Sequence, residues 1–323
     1  MKEPISVVPE LPAVTVVLCT YNGEKYIDQQ LHSIRNQSYK NLLILVSDDA
    51  STDRTWEKLN VHAIDDQRIQ LHQNTSNLGY NQNFSQACAR VVTPLLAFAD
   101  QDDLWHEEKI ERLVKALGKN SPLIYCNSRS FTGDTPQTTP PKSLYQRFEG
   151  SNILQLSLFN TVNGHAILAR TDFIKKILPF PAHLFYDWYI AGKAALEGGV
   201  QYLPDLLVYQ RMHTSNASVF GERAGQKKTK LLHMTAVRAH CKSFAESPGI
   251  SSASLQILQQ WIACLDQLIE KRKGWAAFVF MMQHRTDLFS YKKRRIGWPS
   301  HFKHAIRLIK THLQQTIVTG KQI

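Results

Sequence analysis

Long apolar runs are missing from this 323-residue chain. The longest, Trp275–Met282, is far short of the ~20 residues a spanning helix needs, so no membrane crossing is expected. Residues 1–12 hold one Lys, two Glu and three Pro with no apolar segment, which excludes a signal peptide at that end. Cysteine is sparse. Cys19, Cys88, Cys126, Cys241 and Cys264 are odd in number and show no C-x-x-C spacing, so they read as reduced structural thiols of a cytosolic protein. A glycine-rich phosphate loop is also absent near the first strand, where Thr20–Gly23 contains a single Gly. Acidic residues are scarce at one end only: residues 222–323 carry 18 Lys/Arg against 5 Asp/Glu, whereas residues 1–221 carry 20 against 22. The whole formal charge of +11 therefore comes from the last third, an asymmetry that points to an anionic partner for that part.

What is present is a globular composition, 43% hydrophobic and 20% charged, in an alternating order. Val14–Cys19, Leu42–Ser47, Arg68–His72, Leu95–Ala99 and Leu123–Cys126 read as strands. Helical periods separate them over Glu24–Asn36, Ser51–Leu59, Gly79–Ala89 and Leu104–Leu117. Strand and helix alternating in this way imply βαβ units and a mostly parallel sheet. Further on, a strand at Ala166–Ala169, a helix from Asp187 to Glu197 and short strands around Tyr202 and Val208 are expected. Helical stretches then follow at about 225–245 and 252–272, over Trp275–Tyr291, and from Pro299. Gly133–Lys142, rich in Thr and Pro, reads as a loop.

Ligands of open α/β sheets bind beyond the carboxyl ends of the strands. That rule gathers Thr20-Tyr21-Asn22, Asp48-Asp49 and Asp100-Gln101-Asp102-Asp103 into one site. Two carboxylates two residues apart at a strand end suit a shared hard cation, which takes carboxylate and phosphate oxygens. A solvated acidic turn, or a cap formed by Asp102 or Asp103 on a helix from Leu104, is the competing reading. In Asp48-Asp49-Ala50-Ser51-Thr52-Asp53 the acids suit base or ribose recognition, while Ser51, Thr52 and Asp53 suit capping of the next helix. Asp187, between Tyr186 and Trp188, is either a desolvated carboxylate suited to taking a proton or a plain helix cap. His213 is either a cation ligand or a surface histidine.

Taken in order, Val14–Asn22, Asp48–Asp53, Asn77-Leu78-Gly79 and Ala99–Trp105 resemble family 2 of the glycosyltransferases. Asn163-Gly164, Tyr186-Asp187-Trp188-Tyr189 and Tyr209–His213 extend that resemblance over about residues 13–215. The D-Q-D-D-x-W form is most similar to the rhamnosyltransferase-like branch. The resemblance implies a GT-A fold in residues 1–221, with a nucleotide-sugar half at about 13–128 and an acceptor half at about 129–221; residues 222–323 form a basic helical region. It implies that Thr20, Tyr21, Asn22, Asp48, Asp49, Asn77, Gly79 and Asp100 hold the nucleotide. Asp102, with Asp100 and His213, would coordinate Mn²⁺ or Mg²⁺. Asp187 would be the general base, and Asp103, Trp105, Asn163, Gly164, Trp188 and Arg211 would line the sugar or acceptor pocket. The substrates implied are a nucleotide diphosphate-sugar and a glycan or lipid-linked glycan. Tyr209–His213 is one residue longer than the Y-R-x-H common in the family. The Q-x-x-R-W pattern of processive synthases is missing, which favours single additions.

From Pro299, Phe302, Ile306, Ile309 and Leu313 recur at a helical period beside Lys303, His304, Arg307 and Lys310. With Lys292-Lys293-Arg294-Arg295 this is a basic amphipathic helix suited to anionic lipid, which implies a cytoplasmic protein peripheral to the inner membrane face. A lid on the catalytic part or a homodimer contact would use the same stripe. Nucleic-acid binding is disfavoured because the tail has no zinc pattern or groove-reading motif. A nucleotidyltransferase is disfavoured by the missing glycine-rich loop.

Overall fold

The computed structural model describes residues 11–136, 138, 145–213, 231–292 and 297–319. Its first half is the alternation expected from sequence. β1 (Val14–Thr20), α1 (Ile27–Arg35), β2 (Leu42–Asp48), α2 (Thr55–Asp65), β3 (Ile69–Gln73), α3 (Tyr80–Arg90) and β4 (Leu95–Asp100) follow one another. β1 is buried at every position because helices cover both of its faces, and that is why its sequence is a continuous apolar run rather than an alternating one. α1 buries Ile27, Leu31 and Ile34, the i, i+4, i+7 stripe of an amphipathic helix.

The next stretch departs from expectation. Leu104–Leu117 is not one helix: Leu104–Trp105 forms β5, and α4 begins only at Lys109, running to Ala116. β5 exists because Leu104 and Trp105 pair antiparallel with Tyr209 and Val208, a contact about a hundred residues away in sequence. β6 (Leu123–Phe131), α5 (Ile153–Leu156), a 3₁₀ turn at Gly164–Ala166, β7 (Ile167–Arg170), α6 (Thr171–Lys176) and α7 (Tyr186–Glu197) lead to β8 (Val200–Arg211). β8 is one strand where two short ones were expected. Pro204 and Asp205 are skipped by the β6 register, which jumps from Cys126↔Leu203 to Asn127↔Leu206, so the proline sits in a bulge. The eight strands form one sheet in the order β3-β2-β1-β4-β7-β6-β8-β5. β3, β2, β1 and β4 are mutually parallel, as are β6 and β8, while β7 and β5 run antiparallel to their neighbours.

α8 (Leu231–Ala245), α9 (Ser252–Ile269), α10 (Trp275–Gln283), α11 (Arg285–Leu288) and α12 (Trp298–Thr319) complete the chain. They pack on the sheet unit through α5 and α7. The fully buried Trp261 donates its indole N–H to the Ser157 carbonyl at 2.9 Å, and the Cys241 thiol reaches the same oxygen at 3.6 Å. Lys193 of α7 donates to the Ser243 carbonyl (2.7 Å) and Ser247 Oγ (2.8 Å). α12 turns its stripe inward: Ala305, Ile309 and His312 are buried, and Leu308 and Leu313 pack against the core. The apolar side of that helix is therefore covered by its neighbours, the lid-like alternative to lying in lipid. The junction between the two expected parts, residues 214–230, and Lys293–Arg295 of the basic cluster fall outside the described residues. Among the described residues, no helix is long and apolar enough to cross a membrane.

Candidate active site

Parallel pairing aligns the ends of β1, β2 and β4, with Thr20 opposite Asp48 and Cys19 opposite Asp100. The three polar turns selected from sequence therefore share one edge. The first two are tied closely together. Asp48 accepts from Thr20 Oγ1 at 2.8 Å, from the Ser51 amide at 3.0 Å and from Gln73 Nε2 at 3.1 Å. Asp49 accepts from Asn74 Nδ2 (2.8 Å) and from the amides of Leu78 (2.9 Å) and Gly79 (2.8 Å). Both carboxylates are buried and are held by these bonds within the protein. Asp49 thereby fixes the Asn77-Leu78-Gly79 turn, while Tyr21, Asn22 and Asn77 face outward. Asn22 (φ 48°) and Ala50 (φ 59°) are left-handed in the facing turns, a conformation that costs non-glycine residues energy and is concentrated at functional sites.

Gln101 joins the third turn to the first. It accepts from the Tyr21 amide at 2.8 Å and donates to the Tyr21 carbonyl at 3.0 Å. Gly23 lies directly beneath it, and a Cβ there would stand 2.3 Å from Gln101 Oε1 and push the amide aside.

The acidic cluster is organised differently from the expected set. Asp102 pairs with His213 at 2.7 Å. Asp103 Oδ1 accepts the Arg211 amide at 3.1 Å, and Arg211 Nε donates to the Asp102 carbonyl at 3.1 Å. The buried Arg211 guanidinium also binds the Gly133 carbonyl and lies 4.7 Å from the ring centroids of both Tyr26 and Phe131. It fastens the end of β8 to the end of β4. The second oxygen of Asp103 is buried without a hydrogen-bond partner; it lies 3.4 Å from His165 Nδ1, and Asp100 lies 3.5 Å from the same nitrogen. Donor atoms of Asp100, Asp103 and His165 all fall within 4.8 Å of one another.

Burial pushes the Asp103 carboxyl up to about 8, with Asp100 and Asp102 adding to the rise, and raises Asp102 for the same reasons, desolvation first. Burial works against a charged His165, but Asp103 and Asp100 beside it raise it nonetheless. A cluster short of positive charge, holding one orphaned carboxylate oxygen and an imidazole, fits a divalent cation. The donor atoms of Asp100, Asp103 and His165 are close enough to share one ion, and Asp102 and His213 form a second acid–imidazole pair beside them. His165 and Lys109 were not singled out from sequence. Lys109 is buried, donates to the His165 carbonyl at 2.7 Å and stands 3.2 Å over the Trp105 ring; burial lowers its ammonium to about 7. The adjacent Asn163-Gly164 pair was the only signal for His165.

Asp187 is the second residue of α7, whose cap position is Phe185, so it is not a capping aspartate. Its carboxyl accepts from the Trp188 amide at 2.7 Å. Desolvation pushes it up to about 6, tempered by the Trp188 and Gly164 amides and by His165, and Asp100 adds to the rise. It therefore senses the charges of the acidic cluster. Gly164 lies against Tyr186, whose hydroxyl would be 2.1 Å from a Cβ at that position. Asn163 donates to Ser128 Oγ at 2.7 Å. Trp105 and Trp188 are both buried in packing rather than set on an open wall. Trp188 donates to the Leu156 carbonyl at 2.8 Å and stacks on His240 at 4.4 Å. Likewise Asp103 caps no helix, because the chain enters β5 directly after it.

Residues 15–177 match glycosyl transferase family 2. The chain belongs to that family. Among curated relatives of this family 2 chain, an uncharacterized glycosyltransferase of Haemophilus influenzae is 38% identical over 117 residues, 36% of each chain. The Escherichia coli UDP-Glc:alpha-D-GlcNAc-diphosphoundecaprenol beta-1,3-glucosyltransferase WfaP is 26% identical over 235 residues, 70% of this chain and 88% of the relative. The alignments span 36%, 37% and 46% of the length of the first three curated relatives matched. In three dimensions the chain is similar to S. aureus TarS (residues 1–349) in complex with UDP-GlcNAc, with a TM-score of 0.61 and 16% identity over 95% of this chain and 92% of that one. It is also similar to the mannosyltransferase PcManGT of Pyrobaculum calidifontis in complex with GDP-Man and Mn²⁺, with a TM-score of 0.59 and 18% identity over 97% and 90%. The family 2 fold is thus of the GT-A type, with a helical C-terminal region.

Proposed function

We propose that this protein is an inverting glycosyltransferase that moves one sugar per encounter from a nucleotide diphosphate-sugar to a hydroxyl of a cell-surface glycan. The observation that carries this reading is the convergence of the acidic cluster with Asp187, a carboxyl raised toward neutrality, at the strand ends of a family 2 fold. Tyr21, Asn22 and Asn77 face the donor's nucleoside, on turns that Asp48 and Asp49 hold in place. Asp187 takes the acceptor hydroxyl proton, the oxygen bonds to the anomeric carbon, and the bond from that carbon to the diphosphate breaks on the opposite face. Such positioned proton removal contributes about 10²–10⁴ in rate. A divalent ion, Mn²⁺ or Mg²⁺, held by Asp100, Asp103 and His165 would supply charge compensation for the leaving diphosphate. Asp102, paired with His213, adds negative charge beside it.

A lipid-linked acceptor at the inner membrane face agrees with the diphosphoundecaprenol substrate named for WfaP. Rhamnose or another hexose is the sugar we assign, on the D-Q-D-D-x-W form. Incubation with a panel of nucleotide sugars in Mn²⁺ and in Mg²⁺, scored for nucleotide release, tests the activity. NMR of the product tests the stereochemistry. Inversion is expected, and a retained anomeric configuration refutes the displacement.

A further inference from the structure

Of the six tryptophans, four are buried or partly so, while Trp275 is 74% exposed and Trp298 is 57% exposed. The two are not scattered. Trp275 stacks on Phe278 (centroids 5.6 Å apart), Phe278 meets Phe302 edge-on at 5.2 Å, and Phe302 contacts Trp298 at 5.2 Å. The result is a continuous aromatic ridge joining the starts of α10 and α12, with a tryptophan at each end. α10 and α12 run antiparallel beneath it: Phe278 faces Phe302, while Gly274 is seated against Ile309, which a Cβ there would approach to 2.4 Å.

Cations surround the ridge. Lys271 and Lys273 are exposed in the loop before α10, and Lys303, Arg307 and Lys310 are exposed at i, i+4 and i+7 along α12. Neither α10 nor α12 contains an Asp or Glu. The buried stripe of α12 explains its apolar residues but leaves the exposed indoles without a packing role. Indoles next to ammonium groups, with no acid on either helix, are suited to the headgroup level of a bilayer, where the ring is half immersed and the cations meet lipid phosphates.

We infer that the Trp275–Phe278–Phe302–Trp298 ridge, with Lys271, Lys273, Lys303, Arg307 and Lys310, docks the protein on an anionic bilayer surface. The two indoles enter the interface and the helices lie on it without crossing. This differs from immersion of the α12 stripe, which is already packed inside. It is also independent of the catalytic reading, because vesicle binding requires neither donor nor acceptor.

The test is co-sedimentation of the full chain with vesicles of phosphatidylcholine alone and of phosphatidylcholine with phosphatidylglycerol, at low and high salt. Tryptophan emission is recorded alongside. Binding is expected only with phosphatidylglycerol, weakened by salt and accompanied by a blue shift. Trp275→Ser with Trp298→Ser should abolish the shift and weaken binding roughly tenfold or more. Lys303→Gln, Arg307→Gln and Lys310→Gln together should weaken it roughly hundredfold. All substituted positions are exposed, and unchanged thermal transitions confirm that the variants fold. Lack of binding to the anionic vesicles overturns the inference, as does binding that is undiminished by loss of both indoles. A dimer that dissociates in the tryptophan variant, with no vesicle binding in either form, would instead make the ridge a self-contact.

Discussion

Asp187 gains its chemical character from position. It sits one residue inside α7, away from the cap, where burial raises it to about 6. A base works only when ionised, so kcat/KM should fall as pH drops below about 6 and level off above it, with the metal concentration held constant. An acid limb more than a pH unit away would assign the base elsewhere. Asp187→Asn should lower kcat by roughly 10²–10⁴ with donor affinity retained; near-normal turnover of that variant would exclude Asp187 as the base. Asp103 provides a readout free of turnover. Its orphaned oxygen should make Mn²⁺ raise the melting temperature with ion concentration, because an ion that binds only the folded form stabilises it. Asp103→Asn keeps an acceptor for the Arg211 amide and removes the charge. The apo variant should melt as high as the parent or higher, and Mn²⁺ should no longer shift it. A shift of equal size in both proteins would remove Asp103 from the metal set.

At the level of elements, much of the fold was readable because the signals are local. β1, β2 and β4 are apolar runs closed by polar turns, and the rule that parallel sheets bind ligands at their carboxyl ends put those turns together. What could not be read depended on distant pairing. Leu104–Leu117 has the period of a helix, yet Leu104 and Trp105 are drawn into a strand by Tyr209 and Val208. Two short strands were expected around Tyr202 and Val208, but a bulge at Pro204 unites them in one. The same limit applied to the site. Asp100 and Asp102 were visible as a spaced pair, but His165, which stands beside Asp100 and Asp103, enters on a 3₁₀ turn between β6 and β7, where no spacing signals it. Gly164 gives this region a direct test. The Tyr186 hydroxyl occupies the space of a side chain at position 164, so Gly164→Ala should overpack the start of α7. A stability loss of about 1–3 kcal/mol is expected by denaturant titration, together with a fall in kcat because Asp187 adjoins the displaced tyrosine. Unchanged stability would mean that the turn yields freely.

For the molecule as a whole, the question is how firmly the helical region belongs to the sheet unit. Ser157 offers one carbonyl to both Trp261 of α9 and Cys241 of α8, Trp188 of α7 lies on His240 of α8, and a Cβ at Gly192 would stand 2.1 Å from the Phe244 ring. Trp261→Ala should therefore cost about 3–5 kcal/mol and lower the melting of the whole chain in one transition. Two separated transitions, with the sheet unit unaffected, would show that the parts fold apart. The shared oxygen of Ser157 also bears on how such chains can diversify. A tail lacking an indole and a thiol at these places would leave the Ser157 carbonyl unmet, and a tail lost altogether would leave Trp188 bare on one face. Recombination between family members at the end of the sheet unit should therefore seldom yield a sound protein unless both sides of the seam travel together.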